Sequence, residues 1–157
     1  ELLQPLGLKI EIDTPPGLLV HSEPVGETLN GLVMAPELHV RQTPDGRLVA
    51  GSDFAGMDPG GDAESAAEKL FHMLQGFIRG GDALKLSHHT VGYRPTPQDG
   101  VSVIGRVDNL NGLYVCCTHS GITLAPALAE LGTREILTDE IQDMLQPFRP
   151  ARLMSKI

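Results

Sequence analysis

The alternation of apolar and polar residues over the first third of the chain predicts a series of short strands. LKIEI at residues 8–12 alternates as a half-buried strand does, and Pro-Pro-Gly at 15–17 ends it. Thr-Pro-Asp-Gly at 43–46 is a hairpin signal, because Pro fixes φ and Gly accepts a positive φ. The further predicted strands follow at the close spacing of an antiparallel meander: residues 17–24, 29–36, 37–43 and 47–53.

Residues 62–79 have the period of a helix. Their apolar residues recur at spacings of three and four and fall on one face, which predicts that the helix covers the sheet. Asp62 and Glu64 near the start and Gly80-Gly81 after the end suit the helix dipole and a helix stop.

The second half of the chain predicts strands followed by helices. Pro126 lies in the first turn of one helix, where the missing amide hydrogen has little cost. Together these patterns predict an α+β fold with a mainly antiparallel sheet, a covering helix and a terminal strand and helix. The predicted elements are strands at 84–96, 101–105 and 113–118, a turn at 97–100, a helix at 122–137 and a tail helix at 139–145.

Composition and charge narrow the class of protein. The formal net charge is -8, and the 12 Lys and Arg residues are scattered, so nucleic acid is not an expected partner. No apolar run approaches the roughly 20 residues that span a bilayer, and no signal peptide pattern opens the chain, so we expect a soluble cytoplasmic protein. The chain begins at Glu1 rather than Met, which is typical of a processed or truncated product.

Most motifs that carry chemistry are missing. No two glycines are separated by a single residue, so there is no GxGxxG, and no GxxxxGK[ST], HExxH, CxxC or GxSxG occurs. The six His residues lack the spacing of metal ligands, and the neighbours His88 and His89 should face opposite sides of a strand. We expect no metal site.

Two segments are candidates for binding. Arg94, in Gly-Tyr-Arg-Pro at 92–95, is either a surface charge or a planar two-pronged donor for a substrate carboxylate. THSGITLAP at 118–126 leads from a strand into a helix, and helix N-terminal amides can hold an anion or a polarised carbonyl oxygen.

Three longer segments of the sequence, in the order in which they occur, resemble segments of a known protein family. GYRPTPQDGVSVIG at 92–105 and NLNGLYVCCTHSGITLAPALAELGTREI at 109–136 resemble the C-terminal signature of FAD-dependent oxidoreductases of the D-amino acid oxidase type, which include glycine oxidase and sarcosine oxidase relatives. APELHVRQTPDGRLVAGSD at 35–53 is similar to the sheet of their substrate domain. The resemblance covers residues 6–148 and is most specific from 92 to 137.

This resemblance implies an enzyme that oxidises the C–N bond of an amino acid or amine by hydride transfer to flavin, with an antiparallel sheet over the ring. It assigns Arg94 to the substrate carboxylate and Tyr93 and His119 to the lining of the pocket. The segment from His119 would pass the pyrimidine edge of the flavin, where amides and the helix end stabilise negative charge at the N1/C2 carbonyl region. The residues expected to contact FAD are Ser120, Gly121, Ile122, Thr123 and Leu124.

Departures from the family pattern limit what is expected of this chain. Sarcosine oxidase relatives attach flavin through a Cys near the position of Gly92 or Tyr93, so non-covalent FAD is expected here. The GxGxxG half, which supplies most FAD affinity in the relatives, is missing. Residues 1–106 would form the substrate-domain sheet with helix 62–79, and 107–157 would complete an FAD domain.

Two hypotheses follow from the missing half. In the first, the chain is the C-terminal portion of the oxidoreductase, and it is expected to be inactive alone and not to retain FAD without its nucleotide-binding half. In the second, it is a standalone subunit or binding module that docks on a partner carrying that half, and it would expose an apolar face suited to partner binding or homo-oligomerisation.

Overall fold

The computed structural model describes residues 2–52, 58–108 and 110–156. Asp53, the end of one predicted strand, and Asn109, in one of the resembling strings, lie outside the described residues. Contacts divide the chain into two compact units, residues 15–93 and a second unit formed by the residues up to Thr14 with those from Arg94 onward. The predicted domain division between 106 and 107 refers to a complete enzyme and stays a prediction.

The described residues form short strands and two α-helices. None of these helices is long and apolar enough to cross a membrane. The strands are β1 (Leu8–Ile10), β2 (Ile12–Asp13), β3 (Pro16–Ser22), β4 (Val33–Met34), β5 (His39–Gln42), β6 (Leu48–Gly51), β7 (Leu86–Tyr93), β8 (Thr96–Pro97), β9 (Val103–Arg106), β10 (Tyr114–Cys117) and β11 (Met154–Lys156), and the helices are α1 (Ala63–Phe77) and α2 (Gly121–Thr138).

The unit of residues 15–93 is a five-stranded antiparallel sheet covered by α1. The strand order is β4-β5-β6-β3-β7, so β3 lies between β6 and β7 rather than at the start of a simple meander. Long-range pairing places β3 there, which local patterns do not reveal. The antiparallel pairing and the covering helix are confirmed, and together they give the α+β architecture expected of the chain.

The core of this unit lies between α1 and one face of the sheet. Leu18 and Val20 of β3 and Leu70 and Leu74 of α1 are at most 1% exposed. Each such side chain contributes about 1.5 to 3 kcal/mol relative to exposure. Asp62 caps α1 by accepting the Ser65 amide at 3.0 Å, which confirms the helix start that the sequence predicts.

The hairpin at 43–46 is confirmed between β5 and β6. The Gly46 amide donates to the Thr43 carbonyl at 2.9 Å, and Gly46 has φ +87°. A Cβ atom at Gly46 would lie 2.7 Å from the Val25 carbonyl oxygen, so both conformation and space require glycine there.

The second unit contains three short antiparallel pairs and α2. Predicted strand 8–12 is divided in two, because β1 pairs with β11 and β2 pairs with β8. The predicted strand 84–96 likewise ends at Tyr93, and Thr96–Pro97 forms the separate β8. β9 pairs with β10, which precedes α2.

The predicted tail helix at 139–145 is wrong. Asp139 adopts φ 59°, which ends α2, and a 3-10 helix begins at Asp143 and ends at Phe148. The Gln142 amide donates to Glu135 Oε1 at 2.9 Å, so a tertiary contact turns the chain back. Local sequence does not reveal such a contact, which explains the error.

Glu135 is a buried carboxylate with four donors. It is 4% exposed and accepts from Tyr114 Oη at 2.8 Å, from Arg149 Nη1 at 2.8 Å and Nη2 at 2.5 Å, and from the Gln142 amide. The hydrogen bonds from Arg149 are the main cause that lowers the pKa of Glu135 from 4.5 to about 2. Burial and the bond to Glu135 raise the pKa of Tyr114, so the phenol stays a donor.

Replacing Glu135 with Gln should destabilise the protein at neutral pH by about 2 to 4 kcal/mol, because Arg149 would lose the anion it pairs with. The pKa of Glu135 is lowered on folding, so its stabilisation is present above pH 4.5 and is lost as the pH falls toward 2. Urea unfolding at pH 7 and at pH 3 should therefore show a smaller difference between wild type and variant at the lower pH.

Glu130→Gln is the matched control on the same helix. Glu130 pairs with Arg134 at 2.9 Å, but both side chains are more than half exposed, so the loss should stay below about 1 kcal/mol. Equal losses in the two variants would contradict the role given to the buried pair.

Candidate functional site

The candidate site lies where β10 leads into α2. β10 ends at Cys117 and α2 begins at Gly121, so Thr118, His119 and Ser120 form the link. The helix predicted at 122–137 is confirmed one residue longer at each end. Ser120 is the N-cap residue, with φ -110° and ψ 43°.

The side chains of Thr118, His119 and Ser120 form hydrogen bonds within the link and to Ser102, and not, among the described residues, to the first turn of the helix. Thr118 Oγ1 accepts the Ser120 amide at 3.2 Å and the Ser102 hydroxyl at 2.8 Å. Ser120 Oγ lies 2.8 Å from His119 Nδ1 and makes no capping hydrogen bond within the described part of the chain. This differs from the usual Ser N-cap, which accepts an amide of the first turn.

The amides of Gly121, Ile122 and Thr123 are therefore the donors that this turn presents. The first intrahelical bond of the turn runs from the Leu124 amide to the Ser120 carbonyl at 2.9 Å. The three preceding amides have no acceptor within the helix by its geometry, and they lie at the positive end of the helix dipole. A partly negative group of a ligand is the chemistry that this donor set fits.

The surroundings of the turn are open and carry no anionic thiol. Ile122 is 95% exposed, and a Cβ atom at Gly121 would meet nothing within 4 Å. Burial raises the pKa of Cys116 and of Cys117, so both thiols of β10 stay protonated at neutral pH. The edge of a planar ring could approach the amides without displacing side chains of these residues.

Leu124 differs from the other residues predicted to contact FAD. Its amide is used within the helix, and the residue lines an apolar, partly open pocket of about 160 Å³ in the second unit. The prediction for direct contact with a ring edge is therefore strongest for residues 121–123. The apolar pocket is also lined by Ser102, Ile104, Ala127, Leu128, Leu131, Met144, Leu145 and Phe148.

Tyr93 and Arg94 follow one another at the end of β7. Tyr93 pairs with Pro16 in the register of the sheet, and its side chain is 70% exposed. Arg94 is half-buried and belongs to the second unit, and its carbonyl accepts the Thr96 hydroxyl at 3.3 Å. The structure thus brings His119 to Leu124 together in one turn, whereas the roles of Tyr93 and Arg94 at a common pocket stay predictions.

Ser102 was missed as a site residue, and Thr118, although it begins the candidate segment 118–126, was given no role. Ser102 follows a predicted turn and has the polarity of a surface residue, yet it is only 7% exposed. Its partner Thr118 is 16 residues away in sequence. No local signal links the two, and only the pairing of β9 with β10 predicts that their ends meet.

The histidines do not form a metal centre in the described parts of the chain, where no group of three potential ligands occurs. The rings of His21 and His88 stack with centroids 4.3 Å apart and planes 10° apart. Because nearly parallel stacked rings direct their nitrogen lone pairs along separate planes, the pair is poorly suited to chelation. Burial is the largest cause that lowers the pKa of His21, followed by His88.

Comparison with known proteins places the chain among flavoenzymes. A family model described as FAD dependent oxidoreductase matches residues 5–134. A glycine oxidase of Pseudomonas putida is 30% identical over 148 residues, which are 88% of this chain and 38% of that protein.

Solved structures share the fold. Glycine oxidase from Geobacillus kaustophilus has a TM-score of 0.78 at 21% identity, covering 96% of this chain and 42% of that one. L-proline dehydrogenase from P. horikoshii has a TM-score of 0.76 at 22% identity, covering 92% and 41%. The chain thus spans about two fifths of the length of the relatives it matches.

The resemblance of residues 92–105 and 109–136 to the D-amino acid oxidase and glycine oxidase type is confirmed by these matches. Because the family model extends over most of the sequence, from residue 5 to residue 134, this chain belongs to the FAD dependent oxidoreductase family.

Proposed function

We propose that this chain supplies the substrate-side sheet and the flavin-edge turn of an FAD-dependent oxidoreductase that oxidises the C–N bond of an amino acid or amine. Membership of the family and the likeness to glycine oxidases support the reaction class. The observation that carries the proposal is the first turn of α2, whose amides are left without a capping side chain by the described residues.

The chemistry that bound FAD would supply is acceptance of a hydride from the carbon that bears the amine, with negative charge at the N1/C2 carbonyl region of the ring. The amides of Gly121, Ile122 and Thr123 would donate to that region, and the helix dipole would add to their effect. Because these donors are fixed before reaction, they stabilise the charge without reorganising, which is the effect of an oxyanion hole. No nucleophile from the chain is needed.

Arg94 is proposed to bind the carboxylate of an amino acid substrate. A guanidinium offers two parallel donors to a carboxylate, and the pair orients the α carbon toward the ring. Tyr93 and His119 are proposed to line the pocket beside it, as aromatic walls with one polar atom each.

Most of the affinity for FAD is proposed to come from a nucleotide-binding half. The sequence has no GxGxxG, and the chain spans only about two fifths of its relatives. FAD is proposed to be held non-covalently, because Gly92 and Tyr93 stand where a flavin-linking Cys would be needed. On this proposal residues 1–106 serve the substrate side and 107–157 complete the FAD domain.

The alternative is a separately encoded subunit that docks on a partner carrying the nucleotide-binding half, and one observation is consistent with either source of that half. Four apolar side chains at α2 and just after it are at least 68% exposed: Ile122, Leu137, Ile141 and Met144. A partner or a further part of the protein would cover such side chains. Either source of the nucleotide-binding half leaves the roles of the residues above unchanged.

FAD retention tests the proposed function. The 157-residue chain alone should not retain stoichiometric FAD after gel filtration, whereas a protein that also contains the nucleotide-binding half should show a flavin spectrum. Absorbance at roughly 350 to 500 nm, where flavins absorb, measures how much FAD stays bound to the protein. Stoichiometric FAD on the chain alone would show that the affinity lies here rather than in the other half.

Arg94→Ala should raise KM for amino acid substrates in the complete enzyme by about 10- to 100-fold, because a charge-assisted pair is lost. Amines without a carboxylate should be affected much less. Steady-state kinetics on matched substrates with and without the carboxylate measure the difference, and Arg79→Ala, an exposed position after α1, is the control. An unchanged ratio between the two substrates would remove Arg94 from the site.

Ile122→Glu should slow flavin reduction by about tenfold or more, since a carboxylate close to the ring edge opposes the charge that grows there. Ile122→Gln has the same size without the charge and should stay close to wild type. Because Ile122 is 95% exposed, neither variant should disturb folding. Stopped-flow absorbance under anaerobic conditions gives the rates, and equal rates in the two variants would place the ring edge elsewhere.

A further inference from the structure

A hydrogen-bonded relay lies beneath the start of α2. The buried Ser102 donates its hydroxyl proton to Thr118 Oγ1 at 2.8 Å, and the Ser120 amide donates to the same oxygen at 3.2 Å. Thr118 therefore joins the residue before β9 to the N-cap residue of α2. The relay crosses from one strand of the β9–β10 pair to the end of the other.

Ser102 is itself fixed from the C-terminal side of the chain. Arg152 Nη2 donates to the carbonyls of Val101 at 2.8 Å and Ser102 at 3.1 Å, and the same guanidinium pairs with Asp99. The Asp99 carboxylate and the carbonyls of Val101 and Ser102, all before β9, thus converge on one planar donor. The hydroxyl of Ser102 is held in place because its backbone is held.

The hydrogen bonds of the relay also determine which polar groups near the start of α2 are available to bind a ligand. Thr118 Oγ1 already accepts two hydrogen bonds, and Ser120 Oγ lies against His119 Nδ1 at 2.8 Å. The hydroxyls of Thr118 and Ser120, the two that precede the helix in the link, are thereby engaged away from its first turn. The amides of residues 121–123 keep their donors directed outward.

We infer that Ser102 and Thr118 are positioning residues that set the orientation of the α2 first-turn amides for the flavin edge. The use of those amides by a flavin rests on the proposed function. The hydrogen bonds among Ser102, Thr118 and Ser120 do not depend on it. A merely structural role would stabilise the fold without changing the electronic environment of a bound flavin. The two roles therefore differ in what they predict for the flavin potential.

The first test is amide hydrogen exchange in the 157-residue chain without FAD. Thr118→Val keeps the shape but removes the acceptor, so exchange at the Ser120 amide, and at the Leu124 amide that bonds to the Ser120 carbonyl, should accelerate about tenfold, as expected for one lost hydrogen bond. Thr118→Ser restores a hydroxyl and should return exchange to within about twofold of wild type, and Ser102→Ala should act in the same direction as Thr118→Val.

Thr138→Val is the matched control at the other end of the helix. Thr138 Oγ1 donates to the Arg134 carbonyl at 2.8 Å, so the same substitution removes a comparable contact. It should leave the exchange of the Ser120 and Leu124 amides unchanged. Unchanged exchange in Thr118→Val, or equal acceleration in Thr138→Val, would overturn the relay.

The second test is the midpoint potential of FAD bound to a protein that also contains the nucleotide-binding half. Thr118→Val should disfavour the reduced flavin about tenfold, which is about 30 mV for a two-electron couple, and Thr118→Ser should not. Faster exchange with an unchanged potential would overturn the positioning role and leave a structural one. If a wild-type protein that also contains the nucleotide-binding half binds no FAD, the proposed function fails, while the exchange experiment still decides whether the relay exists.

Discussion

A buried carboxylate, Glu135, joins separate parts of the second unit. It accepts hydrogen bonds from Tyr114 on β10 and from Arg149 after the 3-10 helix, as well as from the amide of Gln142. A buried ion pair of this kind adds little net energy over an apolar core, but removing one partner has a large cost. The constraint therefore acts on geometry, since the strand, the helix and the C-terminal segment must all meet at one point.

The same constraint explains a glycine in β9. Gly105 has φ +140°, and a Cβ atom there would lie 2.7 Å from Arg149 Nη1. A Cβ atom at this position would require the Arg149 guanidinium to move from its place beside Glu135. Arg106, the next residue, donates to the Glu135 carbonyl at 2.9 Å and to Asp139 at 2.5 Å, so it neutralises the negative end of α2. Both effects fix the C-terminal end of the helix against β9.

With its C-terminal end fixed in this way and its N-terminal end tied to β9 through Thr118 and Ser102, α2 is held at both ends by polar contacts. Electrostatic stabilisation of a developing charge depends on donors that do not move during reaction. A helix anchored by one apolar face alone would leave the direction of its first turn less determined. The proposed role of residues 121–123 therefore depends on contacts more than ten residues away from them in sequence.

Local patterns predict the parts of this fold that are local. The helix at 62–79, the hairpin at 43–46 and the strand-to-helix link at 118–121 follow from period, capping and turn chemistry. The end of α2 at Asp139, the pairing of β1 with β11 and the contact of Ser102 with Thr118 depend on residues distant in sequence. Nothing in a single sequence brings these partners together, and the tail helix was wrong for that reason.

The two kinds of proposed contact differ in what they can select. Amides at the edge of the ring respond to charge on the flavin, which is the same for every amine, so they cannot distinguish substrates. The guanidinium of Arg94 would bind the substrate carboxylate, which all amino acids share. Solved structures with this fold include a glycine oxidase and an L-proline dehydrogenase, so the fold is compatible with different substrates. Selection among amino acids must then come from side chains that contact the remainder of the substrate, and Tyr93 and His119 are the residues proposed here that could vary in this way.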